Sequence, residues 1–158
     1  MGLEVVLPSG NKYKIGLDEI LRIGRVPTDD PEVLKEEFKV KDLPQMIEGN
    51  LMICIENEKG KIKECYIEEE LYDFSVSRID PGIGKYGSVV ISGSINKINI
   101  KVPPTAKTEV KLYTVSSGET IIRPGEKYET KDKSVALVVG CTLIYVYRKP
   151  QIYVYKKL

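Results

Sequence analysis

Histidine and tryptophan are both absent from this chain of 158 residues. Without histidine there can be no Ser-His-Asp or Cys-His catalysis, no imidazole general base near neutral pH and no histidine-ligated zinc or haem. An excess of charge of one sign is absent as well, because 24 Lys and Arg nearly balance 23 Asp and Glu. Proteins that coat nucleic acid carry a strong positive excess instead. These absences favour a binding or structural module, and we expect no enzymatic activity and no cofactor.

Cysteine is scarce, and Cys54, Cys65 and Cys141 form an odd set without a C-x-x-C pair. Such a set predicts neither a disulfide framework nor a four-thiolate metal site, and isolated thiols are typical of a reducing cytosol. Cys54 and Cys141 lie inside apolar runs, which predicts small buried core residues.

Long apolar runs are also absent, since none approaches the roughly 18 residues needed to span a bilayer. The first residues lack the basic segment and apolar stretch of a secretory signal. We therefore expect a cytoplasmic protein with no membrane partner, and nucleic acid is not an expected partner either.

Glutamine is rare, with Gln45 and Gln151 alone, while Lys and Glu carry most of the 30% charged fraction. Proteins of hyperthermophiles show this bias, because ion-pair networks cost less desolvation at high temperature and amides are chemically labile. The composition therefore predicts a thermophilic source, archaeal or viral.

The residues that are present alternate between apolar and polar, and Gly or Pro turn signals recur about every eight to twelve residues. This period predicts strands over 3–7, 12–15, 19–23, 51–55, 62–67, 74–79, 88–92, 95–102, 110–115, 119–122 and 135–139, before a last tyrosine-rich strand. Short strands with almost no helix predict an all-β fold, an antiparallel β-sandwich of about ten strands.

One short helix is predicted near 31–37, because Asp30 suits the N-cap position and Pro31 the first helical position. Residues 1–149 then form a single sandwich domain. Residues 150–158 form a C-terminal strand or tail that packs on the domain or extends it.

A small repeat marks the C-terminal part of the chain, where Ile144-Tyr145-Val146-Tyr147 recurs as Ile152-Tyr153-Val154-Tyr155. The two tetrads predict either two strands of a hairpin or one core strand and one exposed edge strand. In each, Ile and Val fall on one face and the tyrosines on the other. An exposed tyrosine face with basic neighbours can stack on bases or bind a protein, although β-propensity alone favours an ordinary pair of strands.

A glycine-rich segment over 82–89 matches the spacing G-x-G-x-x-G-x-V of the loop that covers ATP phosphates in protein kinases. A kinase also requires a His-Arg-Asp catalytic loop, which a chain without histidine cannot have, and an Asp-Phe-Gly magnesium site. Residues 88–91 are strand-like, whereas a dinucleotide-binding loop leads into a helix. The segment therefore predicts a hairpin loop.

Three further signals occur together. Ile23-Gly24-Arg25 ends an early strand, and Val76-Ser77-Arg78 lies in the middle of the chain. A turn over 116–120 and the stretch 130–140 then precede the tyrosine-rich strand. Together these motifs resemble forkhead-associated (FHA) domains, which are β-sandwiches that bind phosphothreonine peptides.

The resemblance implies a set of phosphopeptide-binding residues. Arg25 matches the family's phosphate-contacting arginine, and Ser77, followed by Arg78, matches its phosphate-contacting serine. Ser117 and Gly118 match the turn that holds the peptide backbone. Phosphate recognition by a guanidinium fork, a hydroxyl and backbone amides on loops of a rigid sandwich is chemically coherent. The implied partner is a phosphorylated protein or peptide.

The sequence departs from the family pattern in two ways. Counted from Ser77, the position of the family's histidine is occupied by Asp80. The gap from Arg25 to Ser77 is also long and requires an insertion. A tighter register aligns 38–55 with the family's Ser-Arg strand and puts Pro44 or Gln45 at the serine position. Both registers remain open from the sequence.

The leading hypothesis is therefore a non-enzymatic module that binds phosphothreonine peptides. The alternative is a structural or assembly subunit with an FHA/SMAD-like sandwich and no phosphate site, which forms homo-oligomers through its tyrosine-rich C-terminal strands. A third class, single-stranded nucleic-acid binding by a tyrosine and basic face, predicts strongly salt-dependent binding.

Overall fold

Two six-stranded antiparallel sheets face each other in the computed structural model, which describes residues 2–149. The elements are β1 (Gly2–Val6), β2 (Lys12–Ile15), β3 (Glu19–Arg25), α1 (Pro31–Glu36), β4 (Asn50–Asn57), β5 (Ile62–Tyr72), β6 (Ile79–Asp80), β7 (Lys85–Tyr86), β8 (Val89–Ser94), β9 (Lys97–Lys101), β10 (Val110–Thr114), β11 (Gly118–Ile122), β12 (Lys127–Thr130), β13 (Ser134–Val139) and β14 (Thr142–Lys149). Sheet 1 has the strand order β11-β10-β13-β14-β1-β2, and sheet 2 has the order β12-β9-β8-β3-β4-β5. A separate two-stranded ladder pairs β6 with β7. The predicted all-β sandwich is confirmed.

The alternating sequence pattern places the core between the two sheets. In β14, for example, Ile144 and Val146 are fully buried, whereas Leu143, Tyr145 and Tyr147 lie on the outer face. Such alternation is what a strand with one face on the core and one face in solvent requires. The tetrad 144–147 is therefore a core strand, and its repeat at 152–155 lies outside the described residues.

A second, smaller core covers the outer face of β4 and β5. Leu34 of α1, together with Phe38 and Val40, packs against Met52 and Ile67 of these strands. β4 is consequently buried on both faces, which accounts for its nearly unbroken apolar run. The helix predicted near 31–37 is confirmed.

The cap of α1 forms as the sequence predicts. The Asp30 carboxylate accepts a hydrogen bond from the Glu32 N–H at 3.0 Å, and Pro31 occupies the first helical position. Among residues 2–149, no helix is long and apolar enough to cross a membrane.

Cys54 is buried in the core as predicted, but the absence of a disulfide and the burial of Cys141 were predicted wrongly. β4 and β5 pair antiparallel with Cys54 directly opposite Cys65, and the two sulfurs form a disulfide. Cys141 is exposed rather than buried, because it follows Gly140 in the turn between β13 and β14. The argument from isolated thiols to a reducing compartment is therefore lost.

The strand predicted over 74–79 is also wrong, since residues 74–77 form a turn and loop, Arg78 makes an isolated bridge, and the short β6 begins only at Ile79. Asp73 prevents an extended chain here, because its carboxylate accepts the Ser75 N–H at 3.0 Å and its carbonyl accepts the Val76 N–H at 3.2 Å. This local competition for backbone donors is typical of aspartate in turns. β12 was not predicted, because its Lys-Tyr-Glu-Thr sequence has too few apolar residues to show a pattern.

The glycine-rich segment is part of a hairpin, as predicted. Gly84 has a positive φ of 72° after a short 3₁₀ turn, between β6 and β7. Gly87 has a φ of 83° and lies so close to β3 that a Cβ atom would come within 2.7 Å of the Ile23 carbonyl oxygen. These glycines therefore serve a turn and a close approach of backbones.

A buried carboxylate ties the β1–β2 turn to β5. Glu68, which is 1% exposed, accepts hydrogen bonds from Ser9 Oγ at 3.0 Å, Asn11 Nδ2 at 2.9 Å and the Tyr13 hydroxyl at 2.6 Å. Burial, followed by the bond to Glu68, raises the pKa of the Tyr13 phenol well above its ordinary value. The cluster links edge strands of the two sheets.

Candidate anion-binding site

The Ile-Gly-Arg motif brings two arginines side by side at one end of the sandwich. The Arg25 N–H, at the end of β3, donates to the Ser77 carbonyl at 2.9 Å, and Arg25 forms a parallel bridge with Arg78. Gly24 permits this crossing, because a Cβ atom there would lie 2.8 Å from the Ser77 oxygen and 2.9 Å from Gly87 Cα. The structure thus puts Ser77 and Arg78 next to Arg25.

The Arg25 side chain is buried and forms no ion pair within residues 2–149. The residue is 8% exposed, and its Nε has no hydrogen-bond partner among the described residues. The guanidinium lies over the Phe74 ring, 5.3 Å from its centroid. Burial, followed by the charge of Arg78, lowers the pKa of Arg25, although an arginine stays protonated at any physiological pH. A buried cation with a free donor is an incomplete arrangement unless an anion completes it.

Arg78 and Lys107 lie close to Arg25, and Lys85 lies close to Lys107. The pKa of Lys107 is lowered chiefly by the charge of Arg25, then by burial and by the charges of Lys85 and Arg78. Within residues 2–149, none of these four side chains belongs to an ion pair. We call Arg25, Arg78, Lys85 and Lys107 the cation cluster. An anion bound among its members would relieve the mutual repulsion of these charges.

Asp73 is the acidic residue whose charge acts on Arg25, but its oxygens are already used. The carboxylate is 7% exposed and accepts hydrogen bonds from the Ser75 N–H and hydroxyl, from the Cys141 N–H at 2.8 Å and from the Thr142 hydroxyl at 2.8 Å. Burial alone would raise the pKa of Asp73, but these bonds outweigh it and hold the pKa below its ordinary value. Asp73 therefore organises the loop next to Arg25, and its carboxylate makes no hydrogen bond to the guanidinium.

Ser77 acts on the loops through hydrogen bonds. It is 2% exposed, its N–H donates to Ser88 Oγ at 2.8 Å, and its own Oγ accepts the Lys107 N–H at 2.8 Å. The second bond joins two segments 30 residues apart and holds Lys107 in the cluster. Ser77 therefore lies beside the cluster as a buried positioning residue.

An open groove of about 410 Å³ begins beside the cluster. Its lining includes Ser75, Lys107, Lys111, Gly140 and Cys141. Gly140 has a φ of 61°, and a Cβ atom there would come within 2.8 Å of the Asp73 carboxylate.

Ser117 and Gly118 do not join this cluster. They follow the far end of β10, whereas Lys107 precedes its near end, and five residues of strand span about 17 Å. At that far end the Ser117 hydroxyl accepts from the Tyr128 hydroxyl at 3.3 Å. The structure thus brings together Arg25, Ser77 and Arg78, and places the other two predicted residues elsewhere.

Lys107 and Phe74 belong to the site but were not predicted. Lys107 lies in the loop between β9 and β10, and Phe74 follows the buried Asp73. Neither stands in a motif, because each reaches Arg25 through contacts between distant segments. Among the described residues, no group of three or more Cys, Asp and Glu side chains is arranged to hold a metal ion.

Comparison of the chain with protein-family models, with curated proteins and with solved structures gives no match. Functional conclusions therefore depend on the site itself.

Proposed function

We propose that this chain is a non-enzymatic recognition module that binds a phosphothreonine-containing protein or peptide. Arg25, Arg78 and Lys107 hold the phosphate, Ser77 positions the Lys107 loop, and the adjacent groove receives the peptide. The observation that supports the proposal most strongly is the buried Arg25 guanidinium, whose Nε lacks a partner among the described residues and whose neighbours are unpaired cations. Guanidinium groups bind phosphate by paired, charge-assisted hydrogen bonds.

A phosphate dianion suits the cluster better than a carboxylate. Phosphothreonine carries a charge of about −1.5 to −2 and three acceptor oxygens, so it can engage several cations at once. The FHA resemblance of the Ile-Gly-Arg and Ser-Arg motifs supports the same ligand. We expect the module to meet its partner in the cytoplasm. The Cys54–Cys65 bond fits that location in a hyperthermophile, whose intracellular proteins are often rich in disulfides.

Calorimetric titration with a panel of phosphothreonine peptides and their unphosphorylated counterparts tests the proposal. We expect the phosphorylated forms to bind at least about tenfold more tightly, a difference of about 1.4 kcal/mol. Arg78→Ala and Lys107→Ala should each weaken binding, because each removes a cation that holds the phosphate. Both side chains are exposed, so their loss leaves the core intact. Arg25→Lys keeps the charge but not the planar fork, and should also weaken binding.

Arg123→Ala is the matched control, since it removes one exposed arginine from the segment between β11 and β12. Circular dichroism of each variant shows whether it has folded. If phosphorylated and unphosphorylated peptides bind equally, or if Arg78→Ala, Lys107→Ala and Arg25→Lys bind like the Arg123→Ala control, the proposal is wrong.

A second candidate function, assembly with further copies, has one observation in its favour. Large side chains form a patch on the outer face of sheet 1, each 39% to 42% exposed: Tyr113, Ile121, Leu143, Tyr145 and Tyr147. The rings of Tyr145 and Tyr147 stack at 6.4 Å. Exposed patches of this kind often mark contact surfaces.

Light scattering of the full chain, of the 1–149 truncation and of Leu143→Glu tests assembly. Self-association through the face predicts a mass above that of a monomer, lost in Leu143→Glu. Self-association through the tail predicts loss in the truncation alone. A monomeric full chain at all concentrations would refute both.

A further inference from the structure

The outer face of sheet 2 carries an open groove that the proposed phosphopeptide site does not use. α1 and the segment after it cover β4 and β5, but within residues 2–149 nothing covers β3, β8, β9 and β12, which line a groove of about 520 Å³. That volume lies within the range of about 300–1,000 Å³ that small-molecule sites occupy. Ile20 of β3 and Val90 of β8 give the groove an apolar floor.

Two neighbouring lysines line one side of this groove. Lys127 of the edge strand β12 pairs in register with Lys101 of β9, and both are exposed. Neither takes part in a salt bridge within the described part of the chain. Like charges directly opposite in an antiparallel pair are unfavourable. An anion bound between the two ammonium groups turns this repulsion into attraction.

An aromatic ring is fixed in place at the same groove. Arg22 lies with its guanidinium carbon 5.6 Å from the centre of the Tyr86 ring, and its Nη1 donates to the Tyr86 carbonyl at 2.9 Å. Arg22 is itself held by Glu56, with Nε 2.7 Å from the carboxylate. Tyr86 thus combines 43% exposure with a fixed position, so a planar ligand can stack on it with little loss of side-chain entropy.

An under-satisfied amide lies in the same groove, two residues before Lys101 on β9. Asn99 lines the groove from β9, its Oδ1 is buried without a partner among residues 2–149, and its Nδ2 reaches Ser94 Oγ only at 3.4 Å. A small rotation of this side chain offers both a donor and an acceptor to a ligand. An unpaired buried amide oxygen is unfavourable, so a ligand N–H that satisfies it gains affinity.

We infer that this groove binds a nucleoside monophosphate. Its base stacks on Tyr86, a donor or acceptor on the base edge meets Asn99, and its phosphate lies between Lys101 and Lys127. The inference is independent of the phosphothreonine proposal, because the two sites share no residue.

Calorimetric titration with AMP, GMP, CMP and UMP at low salt is the test, with adenosine and inorganic phosphate as probes of each half. At least one nucleotide should bind, more tightly than adenosine or phosphate alone. Lys101→Ala/Lys127→Ala should weaken nucleotide binding at least about tenfold. Tyr86→Ala should weaken nucleotide binding without changing the binding of inorganic phosphate. Lys12→Ala/Lys14→Ala is the matched control, since it removes two exposed lysines from β2 in the other sheet.

Several outcomes would overturn the inference. These are no binding of any nucleotide, equal binding by the two lysine double variants, and inorganic phosphate binding as well as the nucleotide. Binding that survives Lys101→Ala/Lys127→Ala but is lost in Arg78→Ala would place the phosphate at the cation cluster instead. Binding of a single-stranded oligonucleotide without binding of any mononucleotide would indicate a nucleic-acid surface and would also refute it.

Discussion

Replacement of Asp73 by asparagine should lower the free energy of unfolding by about 3 kcal/mol at neutral pH. The change keeps the shape of the side chain and removes one of its two acceptor oxygens. In the native chain those oxygens receive four hydrogen bonds, from the Ser75 N–H and hydroxyl and from the Cys141 N–H and Thr142 hydroxyl. Asparagine would turn an N–H₂ group toward one of these two pairs of donors.

The size of the loss follows from the kinds of donor. A hydroxyl can rotate and accept from the new amide, but a backbone N–H cannot, so either Ser75 or Cys141 keeps an orphaned donor. An orphaned buried donor costs about 1–3 kcal/mol, and the remaining bonds lose the strength that the carboxylate charge gives them. The two contributions together give about 3 kcal/mol.

The loss should depend on pH in a defined direction. The folded-state pKa of Asp73 is lower than its ordinary value near 3.8, so its stabilising contribution is present above that pH and is lost as the pH falls through the folded-state pKa. The difference in stability between wild type and Asp73→Asn should therefore be constant near neutrality and shrink in strong acid. Other carboxylates cancel in this difference, because both proteins carry them.

Urea denaturation followed by far-ultraviolet circular dichroism and tyrosine fluorescence measures the difference. Asp132→Asn is the matched control. Asp132 also accepts two bonds, from the Ser116 N–H at 3.1 Å and hydroxyl at 2.8 Å, but on an exposed turn. We expect its loss to cost less than about 1 kcal/mol. The reasoning is refuted if Asp73→Asn is no less stable than Asp132→Asn, or if its deficit is the same in strong acid as at neutral pH.

Three more predictions concern stability. Cys54→Ala/Cys65→Ala should lower the free energy of unfolding by about 3 kcal/mol, since the bond joins residues 11 apart; an unchanged urea midpoint would contradict this. Gly24→Ala should lower the free energy of unfolding by more than about 2 kcal/mol and weaken phosphopeptide binding, because the added Cβ would overlap the Ser77 backbone next to Arg78. A fully stable variant with native affinity would show that the crossing can relax. Glu68→Gln should lower the free energy of unfolding by about 1–2 kcal/mol. In the wild type, the Tyr13 phenol should ionise at a higher pH than exposed tyrosines in an ultraviolet titration. If Glu68→Gln loses stability but Tyr13 ionises together with the exposed tyrosines, the buried pair is refuted.

The parts of the fold that depend on alternating apolar residues could be predicted from the sequence. The first hairpin, the strand that ends at Arg25 and the capped helix after Asp30 are examples, since each is set by residues close in the chain. The segment over 74–79 could not be predicted, because the side chain of Asp73 withdraws backbone donors from the extended form. The disulfide could not be predicted either, since it depends on the register that sets Cys54 opposite Cys65.

The candidate site divides along the same line. The Ile-Gly-Arg and Ser-Arg motifs pointed to Arg25 and Arg78, and the structure brings these together. Lys107 was missed, since it enters the cluster through one hydrogen bond to a serine 30 residues away, which no local pattern encodes. Ser117 and Gly118 were grouped with the arginines on a turn signal that marks a hairpin at the opposite end of β10.

The position of β14 in sheet 1 imposes an order on folding during synthesis. β14 lies between β13 and β1, so it is the strand that joins the first hairpin to the rest of that sheet. Until residues 142–149 leave the ribosome, β1 and β2 have no further strand of sheet 1 to pair with, and a two-stranded hairpin needs other contacts to be stable in water. The strands β3, β4, β5, β8 and β9 of sheet 2 lie within residues 19–101 and can pair much earlier. We therefore expect sheet 2 to form first and sheet 1 to close on it, and a nascent chain stopped before residue 142 to expose part of the apolar face of sheet 2.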